Sequence, residues 1–371
     1  MHGVSAMGRC QLCQQDLPLI AADLGLCLAC IRKQPDEARK HAAGIHGQIR
    51  QKWGLPAQAP TSPTGVRCKL CVNRCRIGED EWGYCGLRRN EEGKLKGVTS
   101  TRGKLSWYHD PLPTNCVGDW VCPGGTGCGY PDYAYTDGPE FGYQNLAVFP
   151  HACTFNCLYC QNSHFRNRTL DDHFETVEKL AGAVRLKTAC ICYFGDDPSP
   201  QLPFLLKASR MALQNNQGRI LRICWETNGA MSRGVLKEML DLTLKSGGCI
   251  KFDLKAWDES LHLALTGVTN SQTLANFEWL AQQSSLRPEP PLLIASTLMV
   301  PGYIDGREIS KIAEFIAGLN PDIPYTLLGF HPDYHMTDLP PTSRQQAREC
   351  LEAARKAGLQ RLKVGNMHLL W

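Results

Sequence analysis

The chain has 371 residues, 43% apolar and 20% charged, with Lys and Arg exceeding Asp and Glu by four. That balance excludes a chain dominated by disorder, and no basic run interleaved with aromatics asks for nucleic acid as a partner. No stretch approaches the ~18 consecutive apolar residues that cross a bilayer, and residues 1–16 lack the apolar core of a secretion signal, so a cytoplasmic location without a membrane span is expected.

Nineteen cysteines are too many for disulfides in a reducing compartment, and fourteen of them fall in four groups before residue 161. Cys10-x-x-Cys13, thirteen residues and Cys27-x-x-Cys30 make two knuckles of the kind that surround one tetrahedral ion. Zinc is the expected metal, with a rubredoxin-like iron site second. Residues 1–50 are therefore predicted as a zinc-ribbon-like four-cysteine module. Residues 51–65, with three Pro and two Gly and no apolar period, read as a linker.

Residues 66–145 are predicted as a second cysteine-rich module. Cys68-x-x-Cys71-x-x-x-Cys75, nine residues and Cys85 form another quartet, suited to zinc or to an auxiliary iron–sulfur cluster. Cys116, Cys122 and Cys128 form a third set with one ligand short, suited to an auxiliary cluster or to free thiols at the mouth of a barrel. Cys190, Cys192, Cys224, Cys249 and Cys350 are explained as small buried hydrophobes.

From residue 146 the pattern changes. Apolar runs at 146–149, 189–194, 220–225, 249–254, 292–300 and 325–330 alternate with helical periods at 171–187, 202–217, 232–246, 272–284, 306–319 and 342–357. Short buried runs separated by helical segments predict parallel strands with crossovers. The expected fold is α/β, a partial (β/α)6 TIM-like barrel over residues 146–371 behind the cysteine-rich N-terminal metal-binding region. In such barrels chemistry gathers beyond the strand C-termini.

The loop after the first run reads His151-Ala-Cys153-Thr-Phe-Asn-Cys157-Leu-Tyr-Cys160. Three thiolates on one short loop can bind three irons of a 4Fe-4S cubane and leave the fourth open. An open iron can chelate the amino and carboxylate groups of S-adenosylmethionine. The plainer alternatives are a zinc loop completed by His151 or His164, and three buried thiols.

The Cys-x-x-x-Cys-x-aromatic-Cys spacing, with Tyr159 as the aromatic residue, resembles the radical S-adenosylmethionine superfamily. More closely, residues 66–371 resemble the uncharacterised relatives of pyruvate formate-lyase activating enzyme. Leu112-Pro-Thr-Asn-Cys116, Gln161-Asn162, Phe194 to Ser199, Asp253-Leu-Lys255, Val300-Pro-Gly302 and Phe330-His-Pro332 carry that resemblance. It implies reductive cleavage of S-adenosylmethionine to a 5'-deoxyadenosyl radical that takes hydrogen from an unidentified substrate.

The resemblance also suggests cofactor contacts. Gly195-Asp196-Asp197-Pro198 stands where the family carries Gly-Gly-Glu-Pro beside the methionyl amino group, with Asp197 available for a charge-assisted contact. Glu226 and Asn228 end the third run and suit the ribose or carboxylate; a plain Asn-Gly turn explains them as well. Asp253 and Lys255 share one face of the fourth run, for cofactor and substrate or as a structural ion pair. His331 stands where the family places a residue near the adenine. A flavodoxin or ferredoxin-type donor would supply the electron. The substrate is a small molecule or a protein, a glycyl-radical enzyme among the latter, and a catalytically inactive zinc-binding protein is the competing reading.

Overall fold

The computed structural model describes residues 7–371. Its centre is an eight-stranded sheet. Taken in chain order the strands are β1 (Leu105–Pro111), β2 (Gln144–Pro150), β3 (Thr188–Tyr193), β4 (Arg222–Thr227), β5 (Ile250–Asp253), β6 (Leu293–Met299), β7 (Tyr325–Gly329) and β8 (Leu362–Gly365). Spatial order follows chain order. β2 to β8 are parallel, and β1 runs antiparallel to β2 at one edge.

All six predicted runs are strands of this sheet, and two strands join them. β8 adds a seventh parallel member beside β7, with Val364 opposite Leu327. β1 comes from within the segment read as a separate cysteine-rich module. Its mixed sequence, LSWYHDP, suits an edge, where one face and one side stay free of partners. The predicted helices at 202–217, 232–246, 306–319 and 342–357 appear as Leu202–Asn215, Arg233–Ser246, Gly306–Leu319 and Arg344–Lys356.

Period two divides the sheet's faces. Ile191, Tyr193, Ile223, Trp225, Ile250, Phe252, Ala295, Tyr325 and Leu327 point outward into the helix-covered core and are fully buried. The inner face is different: Cys190, Cys192, Cys224, Glu226, Lys251, Asp253, Ser296 and Thr326 lie along it. Residues 112–143 fold against this inner face. Trp120 Nε1 donates to Thr326 Oγ1 at 3.1 Å, Lys363 meets Asp119 at 2.8 Å, and Arg222 forms a buried ion pair with Glu140 at 2.5 Å. One segment thus reaches strands from β4 to β8, which requires the sheet to curl around it as a partial barrel.

The N-terminal region is bound tightly to the sheet domain. Helix α1 (Pro35–Lys52) begins with Pro at N1 and acidic Asp36 and Glu37 in its first turn, both favourable at a helix N-terminus. It packs along α2 (Glu259–Thr266). Tyr303 accepts from Ala21 N–H and donates to Leu26 O, each at 3.0 Å, while Arg32 bridges Asp305 and Glu308 at the start of α3 (Gly306–Leu319). Among the described residues no helix is long and apolar enough to cross a membrane.

Arg222 and Glu140 are 1% and 0% exposed, and beyond each other they meet only backbone groups, Tyr133 O at Arg222 and Tyr135 N–H at Glu140. Arg222→Met should cost about 3–5 kcal/mol by leaving an uncompensated buried carboxylate, and the Arg222→Met, Glu140→Leu pair should recover most of it. Urea denaturation reads both. A single variant within about 0.5 kcal/mol of wild type would contradict the pairing.

Candidate active site

The loop from Cys153 to Cys160 follows β2 and is fixed at its middle. Asn156 N–H donates to Thr266 O (2.8 Å) and Leu158 N–H to Leu265 O (3.0 Å), so the last turn of α2 is its floor. Asn156 Nδ2 meets His46 Nδ1 at 3.0 Å, and Arg166 Nη2 donates to Asn156 Oδ1 at 3.1 Å. Cys153 Sγ accepts from Phe155 N–H at 3.3 Å, with Asn228 Nδ2 at 3.7 Å. Such donors favour a thiolate over a thiol. Burial acts the other way and holds the Cys153 and Cys157 thiols above their usual range, so the loop gains from a positive centre.

Asp197 organises the strand ends around this loop. It is fully buried, and its carboxylate accepts from Thr154 Oγ1 (2.8 Å), Ser199 Oγ (2.9 Å) and Thr227 Oγ1 (2.8 Å). Burial pushes the Asp197 carboxyl up, and the three hydroxyls pull against that. Its acceptor capacity is spent inside the protein. Its neighbour Asp196 instead lines the cavity over the three cysteines, where Oδ1 is buried without a partner. Burial raises this carboxyl to about 8, with Arg166 opposing and Asp197 adding to the rise. Gly195 makes the turn possible: its φ is +96°, and a Cβ there would stand 2.3 Å from Phe149.

That cavity, about 150 Å³, is lined by Cys153, Cys157, Tyr159, Cys160, Gly195, Asp196, Glu226, Asn228, Asp253 and Lys255, together with apolar neighbours. The structure thus gathers these sequence-predicted residues at the C-terminal ends of the parallel strands. Asp253 and Lys255 form an ion pair at 2.6 Å on its wall, and Ser296 Oγ donates to the other Asp253 oxygen. Asn228 donates to Thr154 Oγ1 at 2.7 Å and so braces the loop. His331 is not brought in: it is exposed, and it lines neither this cavity nor the next.

A second chamber of about 540 Å³ adjoins the first and shares Gln161, Asn162, Gly195, Glu226, Asp253 and Leu328 with it. Its volume is that of a small-molecule site. Cys116, Asp119, Lys363 and Asn366 add polar groups to its walls. At its base Lys251 Nζ touches Cys116 Sγ (2.7 Å), Glu226 Oε1 (2.9 Å) and Cys192 Sγ (3.3 Å). Burial opposes the charge on Lys251, yet Cys116, Cys192 and Glu226 hold its ionisation well above the ordinary range. Close by, a hydrogen bond from Cys249 brings the Cys224 thiol down to about 6. Sequence reasoning missed Lys251; alternation with Asp253 and Lys255 places it on the same face.

The other cysteine sets differ from one another. Cys10, Cys13, Cys27 and Cys30 have their sulfurs within 4.8 Å of each other, the separation a single tetrahedral ion requires. Burial opposes ionisation of Cys10, but N–H groups of Cys13, Cys27 and Leu12 bring it down to about 6. Cys116, Cys122 and Cys128 are engaged separately: Cys128 Sγ meets Val121 O at 3.0 Å, Cys116 meets Lys251, and Cys122 packs with Cys192, Cys224 and Cys249.

A curled parallel sheet with three cysteines on the loop beyond its first parallel strand defines a class. Residues 148–316 match the family model described as Radical SAM superfamily, so this part of the chain is a radical SAM domain, which marks the protein as an enzyme. Its relatives include an uncharacterised protein of Methanocaldococcus jannaschii, 26% identical over 81% of each chain. A putative glycyl-radical enzyme activating enzyme of the same organism is 28% identical over 50% of this chain and 67% of its own. The pyruvate formate-lyase 1-activating enzyme of Escherichia coli (strain K12) is 23% identical over 53% of this chain and 76% of its own.

Asp197→Ala would leave three buried hydroxyls without their acceptor and should destabilise the metal-free protein by about 3 kcal/mol or more. Chemical denaturation against Ser199→Ala, which removes one of the three donors, provides the scale. Equal stability of the two variants would remove Asp197 as the organiser.

Proposed function

We propose that the chain is a radical S-adenosylmethionine enzyme in which Cys153, Cys157 and Cys160 hold a 4Fe-4S cluster and the chamber beside them holds the substrate. The carrying observation is the pair of adjoining cavities at the strand ends, one lined by three cysteines of a single loop and by a buried carboxylate that has no partner. When bound there, cluster and S-adenosylmethionine supply one-electron cleavage of a carbon–sulfur bond and a primary carbon radical that abstracts hydrogen.

The chain's own residues do the positioning. Asp196 Oδ1, buried and unsatisfied, suits the methionyl amino group, and the Gly195 turn keeps the backbone close. Lys255, held by Asp253, suits the methionyl carboxylate. Asn228 and Thr154 keep Cys153 in place through Asp197, and Arg166 holds positive charge beside Cys160. Leu298, Leu328, Phe155 and Phe165 line the cluster cavity and limit water there. The N-terminal quartet suits a structural zinc that pins the α1 region on which His46 rides.

The substrate side is polar, with Asp119, Lys363 and Asn366 available to orient a hydrogen-bonding molecule, and Cys116 within the same chamber. Activation of a glycyl-radical enzyme is the second reading, favoured by what the two activating-enzyme relatives are named for. A glycine loop of a partner protein would then enter the chamber in place of a small molecule. A low-potential protein donor is expected in either case.

Anaerobically reconstituted wild type with dithionite and S-adenosylmethionine should form 5'-deoxyadenosine, and the Cys153, Cys157, Cys160→Ala variant should form none. Iron-loaded wild type that never yields it would sink the reading. Asp196→Asn should bind S-adenosylmethionine about tenfold more weakly at pH 8.5. Since the Asp196 carboxyl is raised to about 8, it is charged only above that pH, and the gap between wild type and variant should close by pH 6.5. Titration by calorimetry at both values reads the difference, and a gap independent of pH would detach Asp196 from the amino group.

A further inference from the structure

The second cysteine quartet lies outside both cavities. Cys68 N–H donates to Cys75 O (2.8 Å), Arg74 N–H to Cys71 O (3.1 Å), and Tyr84 N–H to Cys75 Sγ (3.4 Å), which draws Cys85 alongside the loop. Cys68 and Cys71 line the same depression, and Cys75 is tied back to Cys68, so three of the four are gathered by one short loop. Among the described residues, however, only the N-terminal quartet closes to 4.8 Å. A cubane holds its thiolates farther apart than a single ion does, and four cysteines provide its full ligand set.

This loop is fastened to the catalytic one. Asn73 Nδ2 donates to Thr154 O (2.9 Å), Val72 N–H to Ala230 O (2.9 Å) and Ser232 N–H to Leu70 O (2.7 Å). Cys75, Tyr84 and Phe155 belong to one apolar cluster, against which Cys68, Cys153 and Cys157 all pack. Two aromatic side chains, Tyr84 and Phe155, are therefore part of the packing that both cysteine sets share. Tyr84 is 3% exposed, and its hydroxyl is buried without a partner.

Toward solvent the quartet meets a depression of about 450 Å³ lined by Cys68, Cys71, Arg67, Lys69, Arg74, Arg76 and Arg233, with Ser232 and Gln272 and no carboxylate. None of those five cations takes part in an ion pair among the described residues. Five unneutralised cations over a thiol set form a field that attracts an acidic partner.

We propose that Cys68, Cys71, Cys75 and Cys85 hold an auxiliary iron–sulfur cluster, and that the basic depression over it seats an acidic, low-potential electron-carrier protein. This rests on the radical reading above and adds its route of reduction. For each cleavage the carrier loses one electron, the outer cluster gains it and passes it inward, and the electron ends in the broken carbon–sulfur bond.

Reconstituted wild type should carry two clusters by iron and sulfide analysis and by Mössbauer spectroscopy, and a Cys68, Cys71, Cys75, Cys85→Ala variant one, still perturbed by S-adenosylmethionine. A single cluster in wild type overturns the assignment without reference to any variant. Arg67→Glu, Lys69→Glu, Arg74→Glu should keep both clusters and dithionite-driven 5'-deoxyadenosine formation. With flavodoxin hydroquinone as donor at low ionic strength, its reduction should be about tenfold slower than that of wild type, and the difference should fade as salt rises toward ~1 M. Equal rates at low salt would refute the docking face. Failure of dithionite to support cleavage in wild type would instead overturn the catalytic reading, while cluster counting and flavodoxin reduction kinetics would still report on this site.

Discussion

The arrangement of the site depends on how one carboxylate is buried. Among the described residues Asp197 has no ion-pair partner, and a carboxylate removed from water without one is tolerated only where several donors replace its hydration. The donors are three hydroxyls from three places: Thr154 on the cysteine loop, Ser199 on the turn after β3, and Thr227 at the end of β4. Satisfying Asp197 therefore brings the loop, the turn and the strand end to one point. Asp196 comes just before it, on a backbone that Gly195 turns through a positive φ, and its side chain falls on the cavity side, where no hydroxyl reaches it. Two adjacent aspartates thus take opposite roles, one closed within the protein and one left open.

The inner face of the sheet obeys a related constraint. A lysine on a buried strand costs several kcal/mol unless its charge is answered. Lys251 is answered by Glu226 on the neighbouring strand and by the sulfurs of Cys116 and Cys192. Thiols suit this position because they are small enough for the narrow interior of a curled sheet and still able to face an ammonium group. Helices cover the outer face, so the strands there need only shape, and aromatic and branched residues fill it. The inner face is instead filled by residues 112–143, a largely irregular segment with one short helical turn at Pro123–Thr126, whose polar and sulfur groups match those of the strands.

Much of this was legible in the sequence. Buried parallel strands read as apolar runs because both faces are covered, and all six such runs are strands. The cysteine loop was legible through its spacing alone. What escaped were features decided by tertiary partners. β1 is an edge strand of mixed polarity, and β8 is too short and too basic at Lys363 to stand out before its pairing with β7 is known. Helix α1 carries sound start signals in Pro35, Asp36 and Glu37, but its cysteine-rich surroundings suggested a compact metal module. Cys192, Cys224 and Cys249 are indistinguishable from small apolar residues until Lys251 is seen among them. No pattern distinguishes Asp196 from Asp197, since a one-residue difference in backbone direction assigns their roles. His331 follows a strand end, as expected of a site residue, but the chain turns outward after Phe330 and exposes it.

The N-terminal helix reaches the cysteine loop through a chain of protonation choices. Burial holds His46 down to about 4, so the ring is neutral and one nitrogen must accept. Its Nε2 lies 3.1 Å from Ala264 O, which can only accept; Nε2 therefore carries the hydrogen and Nδ1 accepts from Asn156. With its amide nitrogen committed, Asn156 presents its oxygen to Arg166. The guanidinium is thereby held beside Cys160 and Asp196, and it favours ionisation of the Asp196 carboxyl. A neutral ring on α1 thus sets the orientation of an amide, and the amide places a cation next to the cysteine loop. That sequence of contacts gives the N-terminal region a physical hold on the charge balance at the strand ends, beyond any role its own metal set plays.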